Sequence, residues 1–192
     1  MGSQTLAPFT AGRHGRTLTP SGVTVTPVRV QGVAGVHVRR GRDAELESRL
    51  QAAFGLSLPR TPRCVASRGV TCVWAGPGRW LIEADDAALP AHLRASLGPT
   101  ASVVDQSSSR VALDLAGARV CEVLAKGIPV DLREFRAGDV ALTVVGHIDL
   151  MIRRLGDEPR FRLGVPRSFL ASFRDWFDAA AAEFGYEVGS GD

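Results

Sequence analysis

Six consecutive residues, Asp105-Gln106-Ser107-Ser108-Ser109-Arg110, gather a carboxylate, three hydroxyls and a guanidinium just ahead of an apolar run. Such a set can grip the polar edge of a small ligand. It can equally close a turn, with Asp105 accepting its own downstream amides and Arg110 pairing with an acid, and the turn is the favoured reading. Asp139 and Asp149 are single acids without a visible partner, a thin basis for general acid–base chemistry. Arg167, next to Ser168 at a helix start, suits an anion held by free amides or a bridge to a carboxylate of another subunit. Asp105, Ser107, Arg110, Asp149 and Arg167 are thus the candidate binding residues, with no catalytic and no metal-binding residue expected. The histidines (His14, His37, His92, His147) are dispersed, none at ligand spacing from a Cys or an acid. His147, read as part of a strand, is expected to be a hydrogen-bonded structural residue. Gly76-Pro77-Gly78 lacks the G-x-x-x-x-G-K-[ST] run of a phosphate loop, and Pro77 removes an amide such a loop needs. No G-x-S-x-G elbow and no dinucleotide fingerprint occur.

Composition narrows the partners. The chain has 192 residues, 45% hydrophobic and 22% charged, as in ordinary soluble globular proteins. Of 23 basic residues only Lys126 is a lysine. The arginines are scattered among 20 acids and form no basic stripe or stacking platform, so no nucleic-acid partner is expected. Three cysteines without a close pair imply no disulfide framework. The N-terminus lacks the pattern of a signal peptide, and the most apolar stretch, 140–152, is interrupted by His147 and Asp149. A cytoplasmic protein with no membrane contact is the expectation.

The elements that must position these residues occur twice. Residues 27–97 run through an alternating apolar segment, a helix ending near Gly55, strands and a short helix; residues 103–184 repeat that order. Asp43 is the expected N-cap of a helix burying Leu46, Leu50, Ala53 and Phe54, with Gly55 as its stop. Residues 70–74 and 80–83 read as strands joined by a Gly-Pro-Gly turn, and Asp85 or Asp86 as the cap of a helix carrying Leu89, Leu93 and Leu97. Pro27 favours a sheet edge. In the second copy, 110–115, 141–153 and 161–165 are strands. Ser168 caps a closing helix with Phe169, Phe173, Trp176, Phe177, Ala180 and Phe184 on one face, ended by Gly185. The fold expected is therefore α+β, built from two pseudo-repeated strand-helix-strand-strand-helix halves at about 25–98 and 100–187 of a single domain over 25–187. A flexible arm over 1–24 and a tail over 188–192 flank it.

Several segments together resemble one family, the gamma subunit of heterotetrameric sarcosine oxidase. They are Trp74-x-Gly76-Pro77-x-x-Trp80-Leu81-Ile82, Val104-Asp105-Gln106-Ser107, and Gly117 through Val123-Leu124-Ala125-Lys126-Gly127-Ile128-Pro129-Val130-Asp131-Leu132. Gly146-His147 and Val165-Pro166-Arg167-Ser168-Phe169 leading into Trp176 complete the set. The resemblance covers residues 28–184 in order. It implies a fold similar to the folate-binding domain of the aminomethyltransferases, the T-protein of the glycine cleavage system. Where those transferases carry a pair of acids, Asp149 is followed here by Leu150. The family's complex oxidatively demethylates sarcosine to glycine with FAD, FMN and NAD and passes the one-carbon unit to tetrahydrofolate. The resemblance implies that these sites lie in the larger subunits and that the gamma subunit packs on the alpha subunit of the heterotetramer.

An accessory, non-catalytic gamma subunit is the reading that follows. The alternatives are a stand-alone folate-binding aminomethyltransferase-like protein, with Asp105 or Asp149 as its acid, and an anion- or nucleic-acid-binding module using the arginine excess.

Overall fold

A computed structural model describes residues 9–16 and 20–189. The chain begins with β1 (Gly12–His14), β2 (Val23–Val28), β3 (Gly32–Val38), α1 (Asp43–Phe54), β4 (Cys64–Ser67) and β5 (Val70–Trp74). It continues with β6 (Arg79–Ala84), α2 (Leu89–Leu97), β7 (Ala101–Asp105), β8 (Arg110–Ala116), α3 (Val120–Ala125) and β9 (Val140–Val145). Then come β10 (Ile148–Arg154), β11 (Arg160–Pro166), α4 (Leu170–Ala181) and β12 (Tyr186–Val188). Two compact units result, residues 30–109 with 138–140, and the remainder.

The first unit holds a five-stranded sheet in the order β4-β5-β6-β3-β7, antiparallel throughout. Its core joins Ala34, Val36, Trp80 and Ile82 of the strands to Leu46 and Leu50 of α1 and Leu89, Leu93 and Leu97 of α2. Each such leucine, fully buried, contributes about 1.5–3 kcal/mol, which outweighs the modest intrinsic helix preference of these segments. Asp43 is the first helical residue rather than the cap: the cap position is Arg42, with no side-chain bond, so Asp43 and Glu45 act through the helix dipole instead. Gly55 ends α1 in the left-handed conformation expected, its N–H donating to the Gln51 carbonyl. The Asp86 carboxylate accepts the Ala88 N–H at 2.8 Å, and Pro90 falls in the first turn of α2.

The second unit holds a seven-stranded sheet in the order β1-β12-β2-β8-β11-β10-β9, with β12 parallel to β2. Val111, Leu113 and Leu115 of β8 and Phe161, Leu163 and Val165 of β11 face Val120, Val123 and Leu124 of α3 and Phe173 and Phe177 of α4. Trp176 lies so close to Gly127 that a β-carbon there would sit 2.7 Å from the indole. Position 127 therefore admits only glycine without movement of the ring. Pro27 is not on an edge strand, since β2 is flanked by β12 and β8; it lies beyond the last β12 pairing at Val25, where its missing N–H breaks no ladder bond on that side.

The repeat is present, and it is threaded in an exchanged way. In chain order the copies are β2-β3-α1-β4-β5-β6-α2 and β7-β8-α3-β9-β10-β11-α4. β3 is flanked by β6 and β7, and β8 by β11 and β2, so each copy's first strand pairs in the other copy's sheet. The boundaries between units consequently fall near residues 30 and 110 and not at the 98–100 hinge anticipated from the sequence. Thr100 shows why: it is buried, and its hydroxyl donates to the Leu97 carbonyl at 2.9 Å, which seals the end of α2 rather than opening a linker.

The described part of the 1–24 segment also differs from a flexible arm. Phe9 is buried against Phe173 and Phe177 at ring separations of 6.3 and 6.1 Å, Gly12–His14 pairs with β12, and the His14 ring stacks on Tyr186 at 4.8 Å. Burial of one aromatic and pairing of one short strand suffice to anchor it. The rest of the arm, 1–8 and 17–19, and the tail from residue 190 lie outside the described residues; Val188 and Gly189 of the expected tail continue the sheet. At the closing helix, Ser168 is not a cap. A 3-10 turn, Arg167–Phe169, precedes α4, Ser168 makes no capping bond, and Phe169 stands 41% exposed outside the core.

Candidate functional site

The five candidate residues divide between the units. Asp105 and Ser107 belong to the five-stranded unit; Arg110, Asp149 and Arg167 belong to the seven-stranded one.

At the end of β7 the chain turns on its own polar groups. Asp105 Oδ1 accepts the Ser107 N–H at 2.9 Å and the Ser107 hydroxyl at 2.7 Å. The same hydroxyl oxygen accepts the Val33 N–H at 3.0 Å, tying the turn to the head of β3. Gln106 donates its N–H to the Val33 carbonyl at 2.8 Å, and its own carbonyl takes the Ser109 hydroxyl at 2.8 Å. The Gln106 side chain crosses β3 at Gly35, where a β-carbon would come within 2.6 Å of the amide nitrogen. The Ser107 hydroxyl first, then its N–H, hold the Asp105 carboxyl below the ordinary carboxylate range. Asp105 is therefore ionised at neutral pH and cannot serve as a proton donor. The motif is a closed turn.

Arg110 opens β8 opposite Pro166 of β11. Its Nη1 donates to the Gly164 carbonyl at 3.1 Å, and burial pulls its pKa down while the charge of Asp149 pushes it up. Asp149 is exposed on β10, and its successor Leu150 is buried in the core. No second carboxylate therefore stands beside Asp149 on that strand face. Arg167 begins the 3-10 turn, and its carbonyl accepts the Leu170 N–H. Asp139 pairs with Arg63. His147 lies in the turn between β9 and β10, not in a strand, with its ring edge-on to Phe169 at 6.3 Å.

One polar cluster escaped the sequence reading. Asp114, 3% exposed, accepts Arg160 Nη2 at 2.8 Å and Arg162 Nε and Nη2 at 2.6 and 2.9 Å. Its only sequence signal is an acid alternating with Leu113 and Leu115; the arginines lie on a strand whose pairing is non-local. Three charge-assisted bonds from its own arginines hold this buried carboxylate, so the cluster is an internal brace.

Cys72 and Cys121 are poorly disposed to act as nucleophiles. Burial, reinforced by Cys64, pushes the Cys72 thiol up to about 12, and burial also raises Cys121. Cys121 borders an open hollow of about 420 Å³ lined by Ala125, Ile128, Val130, Asp131 and Arg133. Among the described residues, no three of the His, Cys, Asp and Glu side chains gather as a metal site.

The comparisons with known proteins agree with one another on this scaffold. Residues 40–183 match the sarcosine oxidase, gamma subunit family. This chain belongs to the sarcosine oxidase gamma subunit family. A chain of heterotetrameric sarcosine oxidase from Corynebacterium sp. U-96, solved in complex with pyrrole 2-carboxylate, matches with a TM-score of 0.75 and 30% identity. That match covers 84% of this chain and 85% of the other. The glycine cleavage system aminomethyltransferase T from Bartonella henselae matches with a TM-score of 0.66 and 17% identity over 88% of this chain and 48% of the other. The α+β fold resembling the folate-binding domain is thereby shared, and the gamma-subunit chain spans about half the transferase's length. No curated protein sequence matches the chain. Folate, which the wider fold family implies, does not fit the residues found here: Asp149 is single and Asp105 is taken up by Ser107.

Proposed function

We propose that this gamma subunit is an accessory, non-catalytic component that packs on the alpha subunit of a heterotetrameric sarcosine oxidase-type complex. In this reading FAD, FMN, NAD and tetrahydrofolate are held by the partner subunits, which demethylate sarcosine to glycine in the cytoplasm. The observation that carries the reading is the likeness to a sarcosine oxidase chain over nearly the full length of both. Two further features support it. Asp105, Ser107 and Arg110 are hydrogen-bonded within their own units, and no helix among the described residues is long and apolar enough to cross a membrane.

Co-expression with the other oxidase subunits tests the proposal. The isolated chain should show no flavin absorbance, and a tagged version should recover the alpha subunit in fixed stoichiometry. Flavin bound to the isolated chain, or an alpha subunit that never co-purifies with it, would refute the reading. The competing transferase reading requires calorimetric binding of tetrahydrofolate that Asp149→Ala abolishes.

A further inference from the structure

Both ends of the chain meet at the C-terminal end of α4. Arg16 donates its N–H to the Ala182 carbonyl at 2.9 Å, and Lys126 Nζ donates to the Ala180 carbonyl at 2.6 Å. Carbonyls that the helix end leaves without helical partners are thus capped from elsewhere in the chain. Gly15 and Gly185 let the backbones approach. A β-carbon on Gly185 would lie 2.0 Å from the Arg16 carbonyl oxygen, and one on Gly15 would lie 3.1 Å from that of Ala182. Their φ values, +66° for Gly185 and +71° for Gly15, favour glycine as well.

The side chains over this seam form a closed circuit. Phe9 rests against Phe177 at 6.1 Å, Phe177 meets Tyr186 edge-on at 5.1 Å, and Tyr186 stacks on His14 at 4.8 Å. His14 Nε2 then donates to the Thr10 carbonyl at 3.0 Å, one residue from Phe9. The circuit starts and ends on the N-terminal segment and passes through α4 and β12. The Tyr186 hydroxyl donates to Asp178, which fixes β12 to α4 at the same ring.

Neither short strand is held by its ladder alone. β1 and β12 have three residues each, in the register Gly12↔Val188, Arg13↔Glu187 and His14↔Tyr186. Fixing one residue's backbone costs about as much as one net hydrogen bond gains, or more, so the side-chain circuit must supply the rest. Removing a member of the circuit therefore weakens both ends at once. The sheet behind has firmer support: β8, β10 and β11 are seven residues long, and each is paired on both sides. We infer that residues 9–16 and 182–189 are a single clasp over the aromatic face of α4, whose two ends open and close together without unfolding that sheet. Whatever binds and holds one chain end then stabilises the other by the same factor.

Native-state hydrogen exchange of the full chain, read by NMR at low urea concentrations, tests the clasp. The Arg16 amide reports its N-terminal half. The amides of Gly185 and Gly189 report the C-terminal half, being bonded to the Ala181 and Val25 carbonyls, outside residues 9–16. Expected is one shared opening equilibrium for these three amides, more populated than the opening that exposes the amides of β8 and β11. Phe9→Ala should speed all three by about tenfold or more, since a buried ring is lost from the circuit. Ile152→Val, in the core at β10, is the control: it should speed the β8 and β11 amides and leave the three clasp amides unchanged. If Phe9→Ala speeds Arg16 and leaves Gly185 and Gly189 at the wild-type rate, the two ends are independent and the inference is overturned. Clasp amides that follow those of β8 and β11 in urea, or that respond to Ile152→Val, open only with the whole unit, which overturns it equally. The wild-type urea series separates these outcomes even where a variant does not fold.

Discussion

Replacing Ser107 by alanine separates an architectural turn from a ligand site. The hydroxyl has two partners, the Val33 N–H at 3.0 Å and the Asp105 carboxylate at 2.7 Å. Val33 is half-buried, so its N–H is left without an acceptor in a setting where water enters poorly; an unsatisfied amide of that kind costs about 1–2 kcal/mol. The bond to exposed Asp105 adds little, because solvent screens it. The expected loss of about 1–2 kcal/mol corresponds to a fall of roughly 2–8 °C in Tm for a chain of this size. Acid should narrow the difference between wild type and variant only slightly, by the small share that the Asp105 bond contributes. The Asp105 carboxyl sits below its ordinary value of 3.8 in the folded chain, so its contribution is complete above the unfolded value and disappears as pH falls through the lower folded one. The stability gap should therefore be constant from pH 7 to about 5 and shrink only below 3.8. Urea unfolding followed by circular dichroism across that range measures it. An unchanged midpoint together with lost activity of the complex would refute the argument and make the turn a binding site.

Other consequences of the packing can be checked in the same way. Asp114→Ala leaves Arg160 and Arg162 without their shared carboxylate and should destabilise the chain by about 2–4 kcal/mol in denaturant unfolding, toward the lower end of the range for broken buried pairs because both arginines retain contact with water. A loss under 0.5 kcal/mol would show that the brace is dispensable, on the scale of ordinary surface pairs. Gly127→Ala drives a methyl to within 2.7 Å of the Trp176 indole and should cost about 1–3 kcal/mol with a shift in tryptophan emission; an unaltered spectrum and midpoint would contradict that contact. Cys72, its thiol pushed up to about 12 inside the core, should resist iodoacetamide at pH 8 until the chain unfolds, as peptide mass spectrometry can follow; rapid modification of the native chain would contradict its burial.

Much of this structure could be read in advance, and the limits have physical causes. The 3.6-residue spacing of Leu46 and Leu50, and of Leu89, Leu93 and Leu97, marks helices because each stripe must face a sheet. The Gly55 stop and the hairpin around Gly76-Pro77-Gly78 follow from local backbone chemistry. The doubled order of elements was visible because it is contiguous in the chain. The exchange of β2 and β7 was not: strand pairing is non-local, and β2 reads the same whether it joins β3 or β8. Phe9 escaped notice as one aromatic in a polar segment, although a single ring settled between Phe173 and Phe177 anchors it. Ser107 makes the hydrogen bonds of a turn, as its place two residues after Asp105 suggests, whereas Arg110 bonds to the Gly164 carbonyl, which no local pattern marks. Asp114 was passed over because its arginine partners become neighbours only once β8 and β11 pair.

The central claim is that the polar residues of this chain hold its architecture while turnover takes place in the partner subunits. Sarcosine turnover by the assembled complex carrying Asp149→Ala, with tetrahydrofolate calorimetry on the isolated wild-type chain beside it, tests that most directly. The account predicts a wild-type kcat and no binding heat. A kcat reduced about tenfold in a fully assembled complex, equivalent to about 1.4 kcal/mol of lost transition-state stabilisation, would contradict it.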